Sequence, residues 1–116
     1  MYKISIDFDG TLSRKDVQKF TKELIELGVD VWVCTFRTTA INNDDLYFVT
    51  DSLDIPRYKI IFTEMCNKSE FLDDSFILHL DDDYMVHYDL RTNTKIKSID
   101  VNKSAYKNKV KRILEL

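Results

Sequence analysis

The sequence predicts an α/β fold: a single three-layer domain in which helices cover both faces of a central, mainly parallel sheet. Short apolar runs rich in β-branched residues alternate along the chain with longer segments of helical periodicity. The 116 residues suffice for one hydrophobic core and contain no internal repeat and no linker-like stretch. With 44% hydrophobic and 32% charged residues, the composition is that of an ordered soluble protein. One domain over residues 1–116 is therefore expected.

The first strand is predicted at residues 2–8, where apolar and polar side chains alternate loosely and the segment ends in acids. Ser13 is expected to cap the first helix, with Asp16 three residues later completing a weak capping box. Apolar residues recur at helical spacing from there to Gly28, which ends the helix. The β-branched run at 29–35 then predicts a second strand that is buried on both faces, as in a parallel sheet.

The next helix and strand are bounded by polar caps and by the single proline. Asn42 or Asn43 can cap a helix that runs to about Leu53. Pro56 cannot continue that helix because its nitrogen has no hydrogen to donate. The apolar run at 58–63 predicts the third strand.

The second half of the chain adds further strands and a closing helix. A brief helical turn from Ser69 leads to a fourth strand at 76–80. Further strands are predicted at 86–90 and 96–101, with turn residues between them, and a final helix carries an apolar stripe from Tyr106. Strands that alternate with helices imply right-handed crossovers in a Rossmann-like sheet, where ligands bind beyond the carboxyl ends of the strands.

Two acids follow the first strand, at the edge where a ligand is expected. Asp7 and Asp9 are two residues apart, and in an extended segment such side chains point the same way, toward one pocket. A pair of acids can divide a slow phosphate-ester hydrolysis into two faster displacements. One carboxylate attacks phosphorus, and the other protonates the leaving oxygen and later activates water. Gly10 permits the tight turn that follows.

Other polar residues stand at the same predicted edge of the sheet. Thr35 ends the second strand, and its hydroxyl and the following backbone N–H groups can hold phosphate oxygens. Lys68 adds a positive charge at the next helical turn. Asp81 and Asp82 follow the fourth strand and supply the hard oxygen ligands that Mg²⁺ prefers. Because carboxylates this close repel one another without a cation, the cluster predicts Mg²⁺ as a cofactor.

The order of these motifs resembles that of the haloacid dehalogenase-like (HAD) superfamily, and the resemblance covers nearly the whole chain. The motifs are DFDGT at 7–11, Thr35 in VCTFR, Lys68, and LDDD at 80–83. In that superfamily the first Asp is the nucleophile, the second is the general acid and base, Thr and Lys bind phosphate, and the later acids help to bind magnesium. The resemblance implies catalysis by Asp7 and Asp9, phosphate binding by Thr35 and Lys68, and a metal site of Asp7, Asp9, Asp81 and Asp82.

The spacing between the motifs leaves no room for the cap domain of many HAD enzymes, so the chain resembles the small capless members. Their open sites often accept macromolecules or rely on loops or partner subunits, which leaves a homo-oligomer as an open alternative. The interval from Lys68 to Asp81 is short for the family, so Lys59 is a less favoured candidate for the phosphate lysine. Arg37 is expected to clamp a second phosphate or a carboxylate, and Phe36 and Tyr84 to stack on a base or sugar, with ordinary packing or a surface role as the alternative for all three.

The charge distribution sets the expectations for partners and location. The net charge is −3, and acids cluster at 81–83 while Lys and Arg crowd the segment 103–112. A nucleic-acid-binding chain would be more basic overall, so a solvated helix face is favoured for the basic segment and nucleic-acid contact is not. No apolar run is long enough to span a membrane and no signal peptide is visible, so no membrane partner and a cytoplasmic location are expected. The two cysteines are expected to be reduced thiols.

Three functions fit this sequence. The first is a Mg²⁺-dependent phosphohydrolase that forms an aspartyl phosphate and acts on a small phosphorylated substrate, such as a nucleotide or phosphosugar. The second is a protein on the same fold that binds such a ligand without hydrolysing it, although a pure binder does not need an acid at Asp9. The third is a polynucleotide end phosphatase that holds a strand with its basic final helix. His79, inside an apolar strand, is expected to be a hydrogen-bonded core residue and not a ligand.

Overall fold

Five strands form one sheet in the computed structural model, which describes residues 2–116. The strands are β1 Lys3–Ile6, β2 Asp30–Thr35, β3 Ile60–Phe62, β4 Leu78–Asp81 and β5 Lys97–Asp100. Their order in the sheet is β3-β2-β1-β4-β5, and every neighbouring pair is parallel. This confirms the predicted fold class, a Rossmann-like α/β domain with a parallel central sheet.

Four helices and several short helical turns connect the strands. The helices are α1 Lys15–Glu26, α2 Asp44–Ser52, α3 Tyr84–Asn93 and α4 Tyr106–Ile113, and a one-turn helix spans Lys68–Glu70. Asn43 occupies the N-cap position of α2 as predicted, but its side chain makes no capping hydrogen bond; Asn42 Oδ1 instead accepts from the Asp44 N–H at 2.8 Å. Within the described part of the chain, no helix combines the length and the apolar composition needed to cross a membrane.

Alternate residues of the strands pack against different helices, which produces three layers. On one face of the sheet, residues such as Ile4 and Val33 form a core with the apolar stripes of α1, α2 and α4. On the other face, Cys34 packs with Val86 and Leu90 of α3. This division follows from the two-residue period of strands, which sends successive side chains to opposite faces. Because all five strands run the same way, their carboxyl ends meet at one edge of the sheet.

The first helix begins later than predicted, and Ser13 is not its cap. Helix α1 begins at Lys15, with Arg14 in the cap position. The Ser13 hydroxyl instead accepts a hydrogen bond from the Gly10 N–H at 3.0 Å, so it stabilises the turn before the helix. Asp16 pairs with the Arg14 guanidinium at 2.8 Å in place of the predicted capping box.

The strand predicted at 86–90 is wrong, because these residues lie in α3. The Asp83 side chain accepts a hydrogen bond from the Met85 N–H at 2.9 Å and caps the helix. Val86 and Leu90 are four residues apart, so a helix places both in the core. A short apolar run fits a helix and a strand equally well, which explains the error. The strand predicted at 96–101 is confirmed as β5.

Candidate active site

Asp7, Thr35 and Asp81 lie at the carboxyl ends of three adjacent strands. Thr35 and Asp81 are the last residues of β2 and β4, and Asp7 directly follows β1. Ile6 pairs with Leu80, and the Asp7 N–H donates to the Leu80 carbonyl at 2.9 Å, so the register places Asp7 beside Asp81. The sheet edge predicted from the sequence is therefore where these residues meet.

Lys68 joins the two acids. Its Nζ lies 2.8 Å from Asp7 Oδ1 and 2.7 Å from Asp81 Oδ2, and the whole Lys68 side chain is buried. The Nζ of Lys59 binds Asp30 Oδ1 at 2.7 Å, at the start of β2. Of the two candidate lysines, Lys68 is thus the one at this site.

Asp81 is fixed by four hydrogen bonds. Its Oδ2 accepts from Lys68 Nζ and, at 2.6 Å, from His79 Nε2. Its Oδ1 accepts from the backbone N–H groups of Asp82 and Asp83, at 2.9 and 3.1 Å. Burial raises the pKa of Asp81, but the hydrogen bond from His79 and the charge of Lys68 outweigh burial and hold this pKa well below its usual range. Because a carboxylate has about four lone-pair sites, Asp81 has no acceptor site left.

His79 supports Asp81 from the buried face of the sheet. Its Nδ1 lies 2.7 Å from Ser5 Oγ, and its ring is completely buried. Burial lowers the pKa of His79, although the bond to Asp81 opposes this effect. A neutral ring satisfies both partners, with Nε2–H donating to Asp81 and Nδ1 accepting from the Ser5 hydroxyl. The expected hydrogen-bonded core histidine is confirmed, but its contact with the site was missed, although His79 and Asp81 stand two residues apart in one strand and so share a face.

Asp7 is buried beside one positive and one negative group. Burial, together with the negative charge of Asp81, raises the pKa of Asp7 to about 7, although the charge of Lys68 acts to lower this pKa. Asp7 Oδ2 accepts a hydrogen bond from the Thr11 hydroxyl at 3.0 Å. Each Asp7 oxygen therefore has one donor and keeps one free lone pair. A further cation at these free positions would favour the ionised form of Asp7.

The turn that follows Asp7 requires glycine at Gly10. Gly10 has a φ of +75°, and a Cβ on it would overlap the Asp82 carboxylate. The Thr11 hydroxyl lies 3.3 Å from Asp82 Oδ1 as well as contacting Asp7. The turn at Phe8–Leu12 thus packs closely against Asp82 and keeps it beside Asp7.

Asp9 lines the same cleft as Asp7, but its carboxylate is bound by Arg37. The guanidinium Nε and Nη2 donate to Asp9 at 2.9 and 2.7 Å, and Nη1 and Nη2 donate to Asp45 at 2.7 and 2.8 Å. The Asp9 side chain is 60% exposed, whereas that of Arg37 is 16% exposed. The backbone is extended at both Asp7 and Asp9 and turns at Gly10, so the two acids line one cleft, as their two-residue spacing predicts. The partner of Arg37 on α2, Asp45, was not identified from the sequence.

Thr35 and Phe36 support the site from the end of β2. The Thr35 hydroxyl is buried and accepts a hydrogen bond from the Arg37 N–H at 3.2 Å, so it shapes the turn that carries Arg37. The Phe36 ring centroid lies 5.0 Å from Lys68 Nζ, within the range of a cation–π contact. Phosphate binding by Thr35 and base stacking by Phe36 stay predictions.

Three carboxylates form an acidic cluster, in which Asp7 and Asp82 have free lone pairs for a divalent cation. One oxygen from each of Asp7, Asp81 and Asp82 lies within 4.8 Å of those from the other two. Lys68 offsets only part of this charge, and Arg37 is occupied by Asp9 and Asp45. Hard oxygen ligands with excess negative charge suit Mg²⁺. Of the four acids predicted to bind metal, Asp9 is the one outside this cluster.

The acids open into one cleft, here termed the acidic cleft, with a volume of about 420 Å³. This volume admits a phosphate group and part of the molecule that carries it. The described residues that line the acidic cleft are Asp7, Asp9, Phe36, Asp81, Asp82, Asp83 and Tyr84.

Comparison of the chain with protein-family models, with curated proteins and with solved structures gives no match. The candidate active site combines a buried carboxylate held by Lys68, an acidic cluster with free oxygen ligands for a cation, and an open cleft in front of both. Such a combination is suited to nucleophilic attack on an electrophile that carries negative charge, with a bound cation to offset that charge.

Proposed function

We propose that this protein is a Mg²⁺-dependent phosphohydrolase that transfers a phosphoryl group to Asp7 and then to water. The observation that carries the proposal is the position of Asp7 in the wall of the acidic cleft, with one oxygen held by Lys68 at 2.8 Å. A carboxylate so placed is oriented and can be reached by a phosphate ester. On this proposal the chain is a small capless member of the HAD superfamily that hydrolyses phosphomonoesters.

The reaction has two displacements. An Asp7 oxygen attacks phosphorus, the bond from phosphorus to the leaving oxygen breaks, and an acyl phosphate forms on Asp7. Water then attacks the same phosphorus, the bond to Asp7 breaks, and inorganic phosphate leaves. The proton given to the leaving oxygen in the first step is recovered from water in the second, so the protein ends unchanged.

Asp9 is the proposed proton carrier, because it lines the acidic cleft beside Asp7. Both of its oxygens accept hydrogen bonds from Arg37. Arg37 must therefore release Asp9 before a proton can move, and Asp45 is already in place to keep the guanidinium. A substrate phosphate offers Arg37 the same bidentate partner as a carboxylate does.

Lys68 acts on the nucleophile, since its ammonium group is buried between Asp7 and Asp81. Asp7 and Asp82 would hold Mg²⁺ through their free oxygen lone pairs. Asp81 has none free, so its part is to fix Lys68 and the backbone of Asp82. When bound, Mg²⁺ neutralises charge on the acids and on the transferring phosphoryl oxygens.

The test is phosphate release from a generic aryl phosphate, measured with excess Mg²⁺ and with EDTA. We expect Mg²⁺-dependent turnover in the wild-type protein and a loss of roughly a thousandfold or more in kcat in Asp7→Asn. Asp74→Asn makes the same chemical change at an exposed residue outside the acidic cleft and should keep wild-type turnover. Wild-type turnover by Asp7→Asn would refute the assignment of the nucleophile.

A protein that binds phosphorylated ligands without hydrolysing them is the second candidate, and the Arg37–Asp9 pair favours it. While Arg37 holds both Asp9 oxygens, the proposed proton carrier is not free. Wild-type protein that binds inorganic phosphate in the presence of Mg²⁺, but releases no phosphate from the aryl ester over hours, would select binding over hydrolysis.

A further inference from the structure

A second cleft lies between α3, β5 and α4, and its walls are basic. This basic cleft has a volume of about 690 Å³ and adjoins a smaller groove of about 360 Å³. Of the described residues that line the two, Asp100 alone is acidic. The cations that line them are Arg91, Lys95, Lys97, Lys103, Lys109 and Arg112.

These six cations are exposed, and none forms a salt bridge with an acid of residues 2–116. By contrast, Arg14, Arg37 and Arg57 each pair with an aspartate. Residues 91–112 contain eight Lys and Arg but one acid, so the other 19 of the 20 acids lie elsewhere in the chain. Folding thus gathers free positive charge on one side of an acidic protein. Like charges so placed repel one another, and an anionic occupant relieves the repulsion.

The basic cleft begins at the acidic cleft. Tyr84, the first residue of α3, lines both clefts. His87 and Arg91 follow at helical spacing along the same wall of the basic cleft, so this wall extends about 10 Å from Tyr84. On the adjacent strand, Asp100 pairs in register with Asp81 of the acidic cluster. A ligand whose phosphate lies at Asp7 can therefore continue into the basic cleft.

We propose that the substrate is a single-stranded nucleic acid with a terminal phosphate, whose backbone lies in the basic cleft while its end enters the acidic cleft. This inference rests on the phosphohydrolase function proposed above and names its substrate class. Six unpaired cations exceed what one phosphate monoester can neutralise, whereas a strand presents a phosphate at every nucleotide. Binding of this kind depends on charge and tolerates any sequence.

Tyr84 is the residue that favours a single strand over another polyanion. Its side chain is 69% exposed, although Tyr is an amphipathic residue that usually buries part of its ring. It stands at the junction of the two clefts, where the last base of a strand would lie. Stacking of an unpaired base on an exposed aromatic ring is the usual partner of backbone charge contacts in single-strand binding, and bases in a duplex cannot supply it.

The binding test measures how a fluorescent oligonucleotide with a terminal phosphate binds to the Asp7→Asn variant. This variant should bind the substrate without consuming it. With about four phosphate contacts, affinity should fall roughly fiftyfold between about 50 and about 200 mM salt. Adding Lys109→Glu and Arg112→Glu should weaken binding at least about tenfold. The matched control adds Lys19→Glu and Lys107→Glu, which change the charge equally at exposed positions outside the basic cleft and should bind almost normally.

The activity test separates this inference from the proposed function. In an otherwise wild-type chain, Lys109→Glu with Arg112→Glu should lower kcat/KM for the phosphorylated oligonucleotide about tenfold and leave aryl phosphate hydrolysis unchanged. The wild-type protein could instead hydrolyse neither ester but bind the oligonucleotide with the expected salt dependence. That result would refute the phosphohydrolase proposal and support the binding site for a strand. Thermal unfolding checks that the variants fold, and Arg91→Glu with Lys103→Glu replaces the first pair if they do not.

Two results would overturn the inference while phosphatase activity remains. One is oligonucleotide binding that ignores salt or is equal in the cleft and control variants. The other is a result in which the cleft variants lose binding to polyglutamate but still bind the oligonucleotide. That result would assign the basic cleft to an acidic protein partner.

Discussion

The Lys68 ammonium group lies 2.8 Å from the Asp7 carboxylate, and both side chains are buried at the carboxyl ends of the strands. The same Nζ contacts Asp81 at 2.7 Å. One cation therefore serves two buried carboxylates, and the energetics of the site depend on it.

Removing Lys68 should destabilise the protein strongly. Lys68→Met keeps the apolar length of the side chain but leaves Asp7 and Asp81 without their shared cation. Breaking a buried ion pair on one side costs about 3–5 kcal/mol. Urea unfolding at pH 7 in EDTA should show a loss of that order. Lys107→Met, at an exposed residue, is the control, and a loss in Lys68→Met no larger than in this control would show that the buried pair is energetically unimportant.

The raised pKa of Asp7 predicts a pH-dependent effect of Asp7→Asn. The pKa of Asp7 is about 7 in the folded protein and 3.8 for an unperturbed Asp, so Asp7 contributes stability below pH 4 that is lost as pH rises to 7. Asp7→Asn lacks this titration. Relative to the wild type, the variant should therefore gain roughly 2–4 kcal/mol in free energy of unfolding between pH 4 and pH 8 in EDTA. Excess Mg²⁺ should reduce the gain, because a cation favours the ionised Asp7 of the wild type. A difference that does not vary with pH would mean that Asp7 titrates normally.

Two glycine substitutions separate backbone strain from damage to the site. Gly10 and Gly28 both have positive φ, at +75° and +90°, but only a Cβ at Gly10 meets another group, the Asp82 carboxylate. Each Ala substitution should cost about 1 kcal/mol or more in unfolding free energy through strain. Gly10→Ala should in addition weaken Mg²⁺ binding, measured by calorimetry, at least about tenfold. Equal Mg²⁺ affinity in the two variants would remove Asp82 from the cation site.

The sequence was sufficient to predict that three polar residues lie together, because parallel strands all end at one edge of a sheet. These residues are Asp7, Thr35 and Asp81. Their identification needed only the positions of the strand ends, which the apolar runs define to within a few residues. The mistaken strand at 86–90 did not disturb this result, since it lies after the last of these acids.

Contacts between side chains distant in sequence could not be predicted in the same way. Arg37 and Asp9 are 28 residues apart, and their contact depends on how the loop after β2 packs beside the turn after β1. The hydrogen bond from Arg37 to Asp45 depends on where α2 packs, and no local sequence pattern specifies that position.

The basic cleft also depends on packing. A net charge of −3 argued against a polyanionic partner, but net charge contains no information on how residues are distributed over the surface. The six cations come together around the basic cleft only because α3, β5 and α4 pack beside one another.

Trapping the phosphoenzyme decides whether Asp7 is the nucleophile. The variant for this measurement is Asp9→Asn, in which an aryl phosphate, with its good leaving group, can still phosphorylate Asp7 while water attack is slowed. After mixing with Mg²⁺ and aryl phosphate, acid quenching and proteolysis, mass spectrometry should find one phosphoryl group on Asp7. The adduct should be labile to hydroxylamine and absent when Asp7→Asn is added. Aryl phosphate turnover with no such adduct within the first turnover, or a phosphoryl group on another residue, would contradict the aspartyl-phosphate mechanism.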